Sequence, residues 1–151
     1  VDGVLNFYKT PQDAGELVDA LTSQGIAPVF LLAPTTTEAR IAKICRMARG
    51  FVYYVSLKGV TGSDRLDPVA VAEKLALVRR HTALPIGVGF GIKDPESAAQ
   101  VAAVSDAVVI GSALVARLEA LHGDRERAEC EVSSFVADLR AAIDGVRSAA
   151  A

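Results

Sequence analysis

Short apolar runs alternate with amphipathic stretches along almost the whole chain, and few architectures accept that rhythm. The apolar runs are VDGVLNF (1–7), APVFLLA (27–33), FVYYVSL (51–57), LPIGVGF (84–90) and DAVVIGS (106–112). Between them lie stretches with helical spacing. Residues 12–24 carry Leu17, Val18 and Leu21, and Gly25 closes them; residues 36–49 carry Ile41, Ile44, Cys45 and Ala48, and Gly50 ends them. Thr35 and Glu38 have the spacing of a capping box. Asp67-Pro68 and Asp94-Pro95 each read as an N-cap followed by a first-turn proline. A helix follows the last apolar run to about Leu121. The final helix, about 125–146, places Val132, Phe135, Val136, Leu139 and Ile143 on one stripe.

The pattern predicts an α/β fold of about five β/α units plus a terminal helix, in one domain over residues 1–151. The run 27–33 has no polar alternation, as expected for a parallel strand buried on both faces. Two architectures fit. One is an open doubly wound sheet; the other is part of a TIM (β/α)8 barrel, which needs about 250 residues when complete. Half of the residues are apolar (51%), enough for a core, and the net charge of −2 offers no basic face to nucleic acid or an anionic membrane. No apolar run reaches the length of a membrane span. Cys45 and Cys130 lack metal-site spacing and read as free thiols in a reducing cytoplasm. The chain opens inside a strand pattern, VDGVLNFY, so the N-terminus is expected to be a cut rather than a natural start.

In either architecture ligands sit at the carboxyl ends of the strands. There Gly91 precedes a helix start, and Gly111-Ser112 opens one directly. Glycines beside helix N-termini offer amides and a positive dipole end to an anion, so this pair points to a phosphate. Barrels commonly build such a site after their last two strands, which favours the barrel. Gly87, Gly89 and Gly91 fall at every second position, and something must approach that backbone closely; for Gly87 packing is the preferred account. KGVTGSDRL (58–66) is either a plain surface loop or, with its length and glycine hinges, a lid over the site. His81 and His122 read as isolated helix-end residues, and no pair of carboxylates converges at the strand ends.

The combination of YVSLKGVTG, PIGVGFGI and AVVIGSALV, with APVFLLAPTTTEARIAKI before it, resembles the tryptophan synthase alpha subunit family over about residues 16–146. The resemblance implies a TIM barrel of which this chain holds units four to eight. It implies a lyase that cleaves indole-3-glycerol phosphate to indole and glyceraldehyde 3-phosphate in the cytoplasm, without a cofactor of its own. The expected partner is the beta subunit, which carries pyridoxal phosphate. Carried over by motif, Gly62, Gly91, Gly111 and Ser112 would hold the phosphate. Leu5, Leu31, Tyr53 and Phe90 would line the indole and glycerol pocket, and Thr61 would sit on the closing loop.

Two departures accompany the resemblance. The family's catalytic glutamate and aspartate fall upstream of Val1, so the chain is expected to hold no catalytic residue and to be inactive alone. In NFYKT (6–10), Tyr8 and Thr10 stand where the family has an aspartate and a proline. A barrel short of three strands would expose two parallel edges and is expected to associate or stay partly molten. Another phosphate-binding barrel enzyme, of the sugar-phosphate isomerase or epimerase type, and a flavodoxin-like binding module are the alternatives.

Overall fold

The computed structural model describes residues 1–6, 14–56, 67–89 and 91–149. Strands β1 (Gly3–Asn6), β2 (Ala27–Leu32), β3 (Val52–Val55), β4 (Ile86–Gly89) and β5 (Ala107–Val109) alternate with helices α1 (Gly15–Ser23), α2 (Glu38–Met47), α3 (Pro68–Arg79), α4 (Pro95–Ala102) and α5 (Ser112–Ala120). Helix α6 (Arg125–Ala149) closes the chain. All four ladders are parallel, and the spatial order is β1-β2-β3-β4-β5. A doubly wound sheet reverses its strand order at a switch point. A strictly sequential order with no reversal is instead the arc of a barrel.

Burial confirms that arc. Register and the period of two place Phe30, Leu32, Val52, Tyr54, Ile86 and Val88 on one face of the sheet. They join a single buried cluster with Ile41 and Ile44 of α2, Val71, Leu75 and Val78 of α3, Val101 of α4, and Phe135 and Leu139 of α6. The helices therefore cover one face. Leu5, Val29, Leu31, Tyr53, Gly87, Gly89 and Val109 share the other, which would face a barrel interior. Covering is uneven along the arc: α2, α3 and α4 each bury three residues, whereas α1 and α5, at its two ends, bury none.

Local chemistry explains most of the boundaries. The Asp67 carboxylate accepts from the N–H groups of Val69 and Ala70, with Pro68 in the first turn of α3. Asp94 accepts from the Ser97 N–H at 2.8 Å, and Ser97 Oγ accepts from the Asp94 N–H, completing a capping box. Gly25 and Gly50 both take positive φ after their helices. The box expected from Thr35 and Glu38 does not form. The N-cap of α2 is Thr37, without a side-chain cap bond. Thr36 Oγ1 accepts from the Ala33 N–H at 2.9 Å instead, and Glu38 turns to Arg80 and His81. His81 is thus not isolated, since its Nε2 lies 3.1 Å from Glu38 Oε1. Cys45 is buried and Cys130 exposed, both as free thiols, and burial pushes the Cys45 thiol up.

The hydrogen bonds from Ser97 hold the Asp94 carboxyl below the usual carboxylate range. A depressed carboxylate contributes stability above its unfolded pKa and loses it as pH falls through the folded one. Asp94→Ala is therefore expected to lower stability by about 0.5–2 kcal/mol at neutral pH. The gap to the parent chain should narrow on acidification, as followed by urea denaturation at neutral and acidic pH. A gap that does not depend on pH would contradict the cap as drawn.

Candidate functional site

A cavity of about 340 Å³ opens on the barrel-interior face at the carboxyl end of the sheet. It is lined by Leu5, Phe51, Tyr53, Gly91, Ile92, Val109, Gly111 and Ser112. Five of the residues singled out from sequence (Leu5, Tyr53, Gly91, Gly111 and Ser112) thus meet around one space, although they come from four different strands or strand ends. Leu31 stands beside Tyr53 in the β2–β3 register, on the same face, but is not among the lining residues. Thr61, Gly62 and Phe90 lie outside the described residues, as do the lid stretch 58–66 and the Tyr8 and Thr10 positions.

The walls are apolar and one rim is polar. Tyr53 is nearly buried, at 7% exposure, and burial pushes its phenol up, so the hydroxyl stays a neutral donor and acceptor. The rim is the start of α5. Gly111 is its N-cap, and among the described residues no side-chain bond caps this helix start. Among the described residues, a Cβ built on Gly111 would meet nothing within 4 Å, which leaves the approach to the first-turn amides open on that side. The start of α4 is different. There the Asp94 carboxylate already occupies the helix N-terminus, so Gly91 can offer an anion only its own backbone and not the end of that helix. Gly91 has φ 77°, a left-handed conformation that glycine adopts without strain.

The remaining alternate glycines answer to neighbouring rings. A Cβ on Gly87 would lie 3.3 Å from Phe51 Cε2. One on Gly89 would lie 2.8 Å from Tyr53 Cζ and 2.9 Å from Cε2. Gly87 and Gly89 make room for the aromatic floor of the cavity, and of the three only Gly91 reaches its rim. Sequence reading missed Phe51, Ile92 and Val109 as lining residues. Phe51 had a signal: it stands two residues before Tyr53, on the same face of the strand.

Comparison with known proteins settles what kind of barrel the arc belongs to. The family model described as tryptophan synthase alpha chain matches residues 1–144. The chain belongs to the tryptophan synthase alpha chain family. It is 56% identical over 144 residues to the tryptophan synthase alpha chain of Thioalkalivibrio sulfidiphilus, covering 95% of this chain and 54% of that one. It is 49% identical over 150 residues to that of Burkholderia multivorans, covering 99% of this chain and 55% of the relative. Among solved structures, the alpha subunit of tryptophan synthase from Legionella pneumophila superposes with a TM-score of 0.81 at 28% identity, over 96% of this chain and 53% of that chain. A chain from the tryptophan synthase a2b2 complex of Pyrococcus furiosus gives 0.78 at 33% identity, over 93% and 56%. The chain spans about half the length of the family members it matches, corresponding to their C-terminal portion. Its five strands are therefore an arc of the family's TIM barrel.

Proposed function

We propose that this chain carries the phosphate-gripping and indole-facing side of an indole-3-glycerol phosphate lyase site. One observation supports the reading above others: an apolar cavity of about 340 Å³ ends at an uncapped helix N-terminus. An aromatic, apolar wall suits an indole ring, and first-turn amides suit a phosphate. A ligand with those two ends fits the space, which is within the usual range for small-molecule sites. Gly111, Ser112 and Gly91 hold the phosphate in this reading, with Gly62 beside them. Leu5, Tyr53, Leu31 and Phe90 face the ring and glycerol chain, and Thr61 belongs to the closing loop.

Cleavage of the ligand's carbon–carbon bond needs a proton delivered to the indole carbon and one removed from a glycerol hydroxyl. None of the described lining residues is Asp, Glu or His. The reading assigns acid and base to a glutamate and an aspartate that the family resemblance puts outside residues 1–151, so this stretch by itself is expected to bind without turning over. Association with a beta subunit and a cytoplasmic setting follow from the family and stand as part of the proposal. Among the described residues no helix is long and apolar enough to cross a membrane.

Titration calorimetry with the non-cleavable indole-propanol phosphate tests the binding claim. Gly111→Ala, which adds a methyl at the rim without a clash inside the fold, is expected to weaken binding roughly fivefold, the worth of one hydrogen bond. Indole released from indole-3-glycerol phosphate by the chain alone would overturn the claim of inactivity. Inorganic phosphate bound as tightly as the indole compound would favour the sugar-phosphate enzyme reading.

A further inference from the structure

Helix α5 carries the open rim of the site, yet little burial holds it in place. Gly111 and Ser112 at its start line the cavity, and none of its residues is buried, whereas α4 before it buries three. The side of α5 turned to the core consists of Ala113, Leu114 and Arg117, all half-buried, at the i, i+1 and i+4 positions of one helix face. An amphipathic helix would place an apolar residue at the third of these positions, and an arginine stands there instead. Its guanidinium carbon lies 3.5 Å from the centre of the Phe135 ring. Phe135 belongs to α6 and is 6% exposed, inside the buried cluster. Arg117 Nη1 also donates to the Ala113 carbonyl, one turn back on α5, at 2.9 Å. The guanidinium is thus fixed to its own helix at one edge and stacked on a core ring by its face.

We infer that Arg117 is a positioning residue: stacked on Phe135, it fixes α5 against α6 so that the Gly111 and Ser112 amides stay at the cavity rim. The inference deepens the proposed function and rests on its reading of that rim as the phosphate end. With no buried side chain, α5 gains little from burial that would resist a tilt or a slide along α6. A planar guanidinium stacked on a ring and hydrogen-bonded at its edge has direction as well as strength. Arg117 follows Ser112 by five residues, about 7.5 Å along the helix axis, so movement at the contact is passed to the rim. A displacement of about 1 Å there takes an N–H out of hydrogen-bond range of a bound oxygen. Arg117 also stands in the last turn of α5, where a cation suits the negative helix end. That second effect needs the charge alone, whereas the first needs the flat group and the ring.

The test compares Arg117→Met, Arg117→Lys and Phe135→Leu in the whole chain. Calorimetry measures the affinity for indole-propanol phosphate and for indole alone, and amide hydrogen exchange follows the ligand-free chain. Arg117→Met keeps the aliphatic stem at a half-buried position and removes the guanidinium. It is expected to weaken indole-propanol phosphate about fivefold and to leave indole unchanged. General destabilisation would weaken both ligands together. Phe135→Leu should give the same split, and Arg117→Lys, which keeps the charge without the flat group, should recover only part of the loss. Exchange should quicken in α5 and stay as it was in α4. Unchanged phosphate-ligand affinity in Arg117→Met, equal loss for both ligands, or full recovery with lysine would overturn the inference. A parent chain that binds no indole-propanol phosphate would overturn the proposed site instead. Exchange then decides alone: quickening confined to α5 upholds the contact, and unchanged exchange overturns it.

Discussion

Leu32→Ala is expected to cost about 2–5 kcal/mol of stability, while Leu31→Ala, one residue earlier, costs at most about 1.5 kcal/mol. The two leucines are chemically identical and differ only in face. Leu32 is fully buried against the helices, with Ile41, Val71 and Leu75 in the same cluster. Removing its side chain leaves a cavity that surrounding β-branched residues cannot refill. Leu31 points to the barrel-interior face and is half-buried, so truncation removes less covered surface and opens no closed void. Urea denaturation of the two variants reads the difference as a shift of midpoint. Equal losses would mean that both faces of the sheet are covered alike, contrary to a one-sided arc.

Gly89→Ala is expected to destabilise the chain by about 1–3 kcal/mol, a large cost for one methyl group. The new Cβ would stand 2.8 Å from Tyr53 Cζ, closer than carbon atoms pack. The ring is nearly buried, and the open space beside it is the cavity it lines. Relief of the clash therefore drives Tyr53 into the proposed ligand space, so binding of indole-propanol phosphate should fall together with stability. Tyr53→Leu removes the atoms that collide. The double variant should then be less destabilised than the sum of the single ones, with a coupling of about 0.5–3 kcal/mol in thermal or urea unfolding. Strict additivity would contradict the contact. Gly111→Ala serves as the contrast, since its methyl meets nothing among the described residues and should cost less than Gly89→Ala.

Much of the fold was legible because each β/α unit announces itself locally. The Asp67-Pro68 and Asp94-Pro95 caps, the apolar runs and the Phe135, Leu139 and Ile143 part of the α6 stripe depend on neighbours within a few residues, and the structure contains them, whereas Val136 of that stripe stands exposed. Strand order was not legible, because alternation is common to barrels and open sheets. It took the sequential ladder pairing to separate them. The same distinction explains the errors. Three threonines in a row offered competing caps for α2, and Thr36 bonding back to Ala33 decided against the expected box. The Glu38–His81 pair joins residues far apart in sequence, and no local pattern signals it. At the site, sequence reading named Leu5, Tyr53, Gly91, Gly111 and Ser112, which line one cavity. It did not show that Gly87 and Gly89 serve Phe51 and Tyr53, since those contacts cross between neighbouring strands. Nor did it show that Asp94 closes the helix end beside Gly91 and leaves α5 as the open one.

The central claim is that the cavity between Tyr53 and the start of α5 takes a phosphate at its rim and an indole at its floor. A two-dimensional amide spectrum of the chain, recorded with and without indole-propanol phosphate, tests it most directly. The account predicts saturable shifts at the Gly91, Gly111 and Ser112 amides, with smaller ones along Phe51 to Tyr53. Shifts confined to other parts of the chain, or none in a well-dispersed spectrum, would contradict it.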